Sequence, residues 1–215
     1  MISLLENKGY KINDPWDAVD ILEGKIAKYC GSKYAVCLDS CSNAIFLCLK
    51  YFGITDQTIV LPKNTYASVP MQCIHAGNYI RFENIIWSGQ YELGNTGILD
   101  SATRFTKNMF VEDHVQCLSF HHKKILQIGK GGAILTNDIR FVDWLRPMIY
   151  DGRHKRSMYQ QDDFSCIGYH MYMTPEDAAI GIIKFDLIDE NNKDVGNNTT
   201  YKDLSQQKIF ENYLR

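Results

Sequence analysis

Between Ser119 and Asn137 the chain reads SFHHKKILQIGKGGAILTN. Two adjacent lysines, Lys123 and Lys124, are followed by Gly129, Gly131 and Gly132 and then by a short apolar run. Such closely spaced glycines open backbone conformations closed to other residues and let a chain segment or a ligand come close. The stretches Cys117–Phe120 and Gly132–Thr136 read as strands, so the lysines belong to a connection between two strands. An amine held there can act as a nucleophile toward a carbonyl. The same pattern also describes a plain hairpin with solvated lysines, since charged side chains are mostly exposed.

The 215 residues can bury one sizeable core, or one domain with an appendage, and a hydrophobic share of 45% marks the chain as globular. A net charge of -2 with no basic block argues against nucleic acid as the main partner. No apolar run reaches about 18 residues, so no membrane span is expected. The start, MISLLENKGYKIN, lacks the charged head and apolar core of a secretion signal. Seven cysteines without metal-like spacing suit reduced thiols in a cytoplasm.

Asp14 and Pro15 form a helix start, and Trp16, Val19, Leu22, Ile26 and Ala27 recur at helical spacing up to a stop at Gly31. Tyr34–Leu38 is a short strand. It ends in Asp39-Ser40-Cys41-Ser42-Asn43, and the apolar run from Ala44 to Leu49 follows. A helix that begins at such a turn offers free N–H groups and a positive dipole end to a phosphate, or is an ordinary Ser/Asn-capped helix. Thr58–Leu61, Tyr79–Phe82 and Gly97–Asp100 read as further strands, and Asp100 stands at the end of the last. The residues between Phe82 and Gly97 read as a loop or a short strand pair. Asp138 and Thr174 are caps for two later helices, with a charged, aromatic loop over residues 146–161. After Leu187 the sequence turns polar and reads as a linker, followed by one amphipathic helix over Tyr201–Leu214.

Four separated segments, in this order, resemble the DegT/DnrJ/StrS family of sugar aminotransferases: Ser40–Leu47, Thr65–Ser68, Asp100–Ala102 and Ser119–Asp138. A fifth, Gly168–Ala179, matches in part. The family uses pyridoxal phosphate on an aspartate-aminotransferase-like fold. The resemblance implies an α/β domain with a mainly parallel central sheet over residues 1–187, and a linker and helix over 188–215 in place of most of the family's small C-terminal domain. It places the Schiff-base lysine at Lys124. An extended backbone would send the neighbouring Lys123 to the opposite face. It gives Asp100 the protonated ring nitrogen, Tyr66 the stacking face of the ring, and Ser42, Asn43 and Ser119 the phosphate. Thr103 stands where the family has a Gln that contacts the ring hydroxyl. His170 replaces an Asn that reaches the phosphate of the neighbouring subunit, and Tyr172 replaces an Arg.

The implied reaction is transfer of an amino group, glutamate being the usual donor, to a keto sugar carried on a nucleotide. The implied assembly is a cytoplasmic homodimer with shared active sites. Two alternatives stand beside it. One is a scaffold that binds the cofactor or a partner without turnover. The other is a sugar dehydratase of the same family, against which Lys124 argues because those enzymes have His at that position.

Overall fold

The computed structural model describes residues 2–215. After α1 (Ile2–Asn7) the Asp14 carboxylate accepts from the Trp16 N–H at 2.8 Å, and Asp17 accepts from Asn13 at 2.8 Å. These two acids turn the chain into α2 (Asp17–Cys30), slightly later than the Asp14-Pro15 start expected from sequence. Gly31 ends α2 in the left-handed region at φ +86°, its N–H bonded to Ala27 O. There follow β1 (Tyr34–Leu38), α3 (Cys41–Tyr51), β2 (Thr58–Pro62), α4 (Ser68–His75) and β3 (Tyr79–Glu83). The chain then forms β4 (Tyr91–Glu92), β5 (Ile98–Asp100), β6 (Val115–Ser119), β7 (Gly132–Thr136), α5 (Ile139–Met148) and α6 (Pro175–Phe185). Asp138 caps α5 and Thr174 caps α6, as their sequence positions predict.

The main sheet has five strands in the order β1-β7-β6-β5-β4, and β2 pairs with β3 in parallel as a second sheet. β7 runs antiparallel to both β1 and β6, β4 runs antiparallel to β5, and β5 and β6 are parallel. The sheet is therefore mixed rather than mainly parallel. β6 and β7 are the two arms of the expected hairpin, and the lysine loop joins them. Both faces are covered. Along β7, Ile134 enters the apolar cluster with α3, α4 and α5, while Ala133 and Leu135 enter the one with α2 and α6. That alternation on a fully buried strand is why its sequence is apolar throughout.

The region after α6 departs from expectation. No α-helix forms over residues 201–214; a 3-10 turn spans Lys208–Tyr213 instead. Leu204 and Phe210 are buried in the cluster of α3 and α4, so this stretch lies along the domain surface. Among the described residues no helix is long and apolar enough to cross a membrane.

Candidate active site

β1, β5 and β6 run in one direction, and their carboxyl ends meet at the same edge of the sheet. In α/β sheets that edge is the usual place for a ligand. Ser40 caps α3 by accepting from the Asn43 N–H at 3.2 Å. Gly132 lets the lysine hairpin press on this helix start: a Cβ there would lie 2.6 Å from both Cys41 N and Leu118 O. Ser42 Oγ and Ser68 Oγ are 2.6 Å apart, which joins the first turns of α3 and α4. Asn43 is engaged locally. Its side-chain amide donates to both oxygens of Asp39, at 2.8 and 3.0 Å.

Asp100 closes the floor. It is buried, and burial pushes its carboxyl above the usual carboxylate range. Three donors work against that shift: the Ala102 N–H to Oδ1 at 2.9 Å, the Tyr91 hydroxyl to Oδ2 at 2.8 Å, and the Cys41 thiol at 3.9 Å. The Lys124 charge works in the same direction. Burial pushes the Cys41 thiol up as well, so it stays protonated as a donor. Tyr91 in turn is bonded to the hydroxyl of Thr65, at the approach to α4.

Lys124 does not lie on an extended segment. Its N–H bonds to His121 O at 2.8 Å, closing a turn. The turn, not strand alternation, separates the two lysines: Lys123 is exposed and Lys124 is half-buried. Lys124 Nζ donates to the Tyr201 hydroxyl at 3.3 Å. Tyr201 arrives from the stretch after α6. Its ring stacks on Trp87 with centroids 5.8 Å apart and meets Tyr66 edge-on at 6.2 Å. Burial, then the negative charge of Asp100, pushes its phenol up to about 12. The chain around Tyr201 is a strap pinned on both sides. Gly89 N–H donates to Gly196 O at 2.9 Å, Asn64 Nδ2 to Tyr201 O at 3.0 Å, and Leu204 N–H to Lys63 O at 2.7 Å.

Ser42, Ser119, Asp100, Lys124 and Tyr66 thus sit around one edge of the sheet. Thr103 faces the strap: its buried hydroxyl shares its one proton between Gly89 O at 2.9 Å and Gly196 O at 3.2 Å, which leaves it able to meet a ring hydroxyl only as an acceptor. His170 is exposed and its Nδ1 is 2.8 Å from Asp151 Oδ2; its hydrogen bonding is to that acid and not to the Lys124 cluster. Its segment nevertheless runs beside the end of β1, where Asp39 N–H donates to Met171 O at 2.8 Å. Sequence reasoning missed Thr65, Trp87, Tyr91 and Tyr201. Tyr201 carried no local signal.

The model of the DegT/DnrJ/EryC1/StrS aminotransferase family matches residues 7–85 and 107–207. The chain belongs to this family. It is 20% identical over 227 residues to the UDP-4-amino-4,6-dideoxy-N-acetyl-beta-L-altrosamine transaminase of Campylobacter jejuni, covering 85% of this chain and 58% of that protein. It is 25% identical to the spore coat polysaccharide biosynthesis protein SpsC of Bacillus subtilis, covering 81% of this chain and 58% of SpsC. A crystal structure of a DegT DnrJ EryC1 StrS aminotransferase from Brucella abortus superposes with a TM-score of 0.66 at 20% identity, over 86% of this chain and 62% of that one. The α/β fold is thus that of this family, and the chain spans somewhat over half the length of the relatives it matches. The family match omits residues 86–106, which hold Trp87, Tyr91, Asp100 and Thr103.

Proposed function

We propose that this chain carries the amino-transfer site of a pyridoxal-phosphate enzyme acting on a keto sugar linked to a nucleotide, with glutamate as donor. The observation that carries the reading is a half-buried amine, Lys124, whose charge reaches a buried carboxyl, Asp100, at the sheet edge where α3 begins. The cofactor, when bound, supplies the electron sink that lets an amino group leave one carbon and join another. The residues present suit it. Lys124 is the anchoring amine, and once free it is the base that moves the proton at the reacting carbon. Asp100 holds a proton at the ring nitrogen, and a cationic partner there offsets the cost of burying its charge. Ser42 and Ser119, with the positive dipole end of α3, hold the phosphate, while Tyr66 covers the ring.

A shared-site homodimer accords with this reading, since two-fold assemblies are the commonest. The stretch around His170 would reach the neighbour's phosphate, and mixing inactive Lys124→Ala and His170→Ala chains would restore activity. A scaffold that binds without turnover is the second reading. The contact between Tyr201 and Lys124 favours it.

Borohydride reduction after incubation with pyridoxal phosphate, followed by peptide mass mapping, tests the site. The label is expected on Lys124. A label on Lys123, or none, overturns the assignment. Glutamate should then convert the unreduced bound cofactor to its amine form, and failure to do so with the label in place selects the scaffold reading.

A further inference from the structure

The stretch that the family match omits is built around one contact. In the β4–β5 pair Tyr91 lies directly opposite Asp100, and residues opposite each other in an antiparallel pair share a face. That register is fixed several times over. Leu93 N–H donates to Ile98 O at 2.9 Å and Gly97 N–H to Glu92 Oε1 at 2.8 Å, which closes the hairpin. Gly94 N–H donates to Val60 O at 2.9 Å and docks the hairpin on β2. Gln90 Oε1 accepts from Ser101 Oγ and from Gln116 Nε2, each at 3.1 Å, and ties the hairpin base to β6. A slip by one residue would turn Tyr91 to the other face.

Tyr91 is buried, with its ring 4.9 Å from Trp87. A phenol has one proton to give. It goes to Asp100 Oδ2 at 2.8 Å, so the Thr65 hydroxyl must be the donor in its contact with Tyr91. Hydrogen bonds chained in this way strengthen one another in a low-dielectric interior.

We propose that Tyr91 is a positioning residue for the reaction: with Thr65 behind it, its hydroxyl keeps Asp100 ionised and turned toward the ring nitrogen of the cofactor. The inference rests on the reading of Asp100 as the partner of that nitrogen. The chain thereby supplies, from a hairpin outside the family match, the support that a buried carboxylate needs. Tyr91 itself stays protonated, because burial and the adjacent Asp100 push its phenol far up. The other titratable groups facing Asp100 are Cys41 at the start of α3, Cys117 on β6, Lys124 in the hairpin loop and Tyr201 in the strap. All of these stay in the variants below.

The test uses Tyr91→Phe, which keeps the ring and its packing, and Thr65→Val, which removes only the far end of the chain. Carboxyl-labelled aspartate in the full chain without cofactor lets NMR follow the titration of Asp100. Its midpoint is expected to rise by about one pH unit in Tyr91→Phe and by less in Thr65→Val. One unit corresponds to a factor of about ten in the balance of the two protonation states. In parallel, affinity is measured for pyridoxal phosphate and for its analogue with carbon in place of the ring nitrogen. The preference for the natural cofactor should fall about tenfold in Tyr91→Phe. An unmoved Asp100 midpoint in a Tyr91→Phe protein with wild-type near-UV dichroism overturns the proposal. A wild-type chain that binds both molecules equally, or neither, while the midpoint moves, overturns instead the ring-nitrogen reading, and the role of Tyr91 in the reaction with it.

Discussion

The two halves of the candidate site are held differently. The Asp100 side is rigid: a buried carboxylate meets the N–H of the turn after β5, a phenol on β4 and a thiol at the start of α3. The Lys124 side is loose: the amine stands on a turn, and its hydrogen bond is to Tyr201 at 3.3 Å. The contrast suits the work that the proposed reaction would ask of each group. A group that must hold a proton at one fixed atom gains from a locked position, since misplaced charge is not repaired during the reaction. A group that must be freed and then reach a second atom loses by being locked.

The largest test of that contrast is Lys124→Ala. Loss of about 10⁴-fold or more in turnover is expected if the residue serves, as proposed, as both anchor and base. The melting temperature should stay within the range of a surface substitution, because a half-buried amine with one contact supports little of the fold. A large drop in stability would show that the loose half is structural.

Asp100→Asn should cost about 10²- to 10³-fold in turnover, the usual scale for one preorganised electrostatic partner. Its effect on stability should have the opposite sign. The carboxyl of Asp100 titrates higher in the folded chain than in the unfolded one. Its contribution to stability is therefore complete at pH below the unfolded value and is lost as pH rises through the raised folded value. The variant should melt higher than wild type at neutral pH, and the gap should close on acidification. Equal melting curves at all pH values would mean that the surrounding donors compensate burial in full.

Gly132→Ala attacks the junction between the halves. The new methyl would meet backbone atoms at 2.6 Å, and neither the α3 start nor β6 can yield cheaply. A loss of roughly 2–3 kcal/mol is expected in denaturant melts, a scale typical of overpacking. The smallest effect belongs to Tyr201→Phe, which removes one hydroxyl from the loose half. Peptide-mapped acetylation of Lys124 should speed up a few-fold with stability nearly unchanged, on the scale of one partly solvated hydrogen bond.

The strands and caps were legible because their signals are local. Tyr34–Leu38 was read to its limits, and Ser40, Asp138 and Thr174 cap the helices that follow them. Strand direction was legible only for β6 and β7, as the arms of a hairpin; the antiparallel pairing of β7 with β1 was not. β7 is buried on both faces, and such a run looks the same whichever way it points. Strand alternation was expected to separate Lys124 from Lys123, but the pair stands in a turn, and the turn gives them their different exposure. The supports of the site stayed hidden because they are pairings at a distance. Tyr91 belongs to a strand of two residues, too short to show periodicity. Tyr201 meets Lys124 across 77 positions of chain, and the polar residues around it resemble a linker until their bonds to Lys63, Asn64 and Gly89 are seen.

The stack of Tyr201 on Trp87 also makes the strap visible to light. The other tryptophans are remote from it, Trp16 among Tyr150 and Tyr172 and Trp144 against Tyr51 and Phe141. Any molecule that lifts Tyr201 from Lys124 must also uncover one face of the Trp87 indole, so the emission of that single residue reports when the strap gives way.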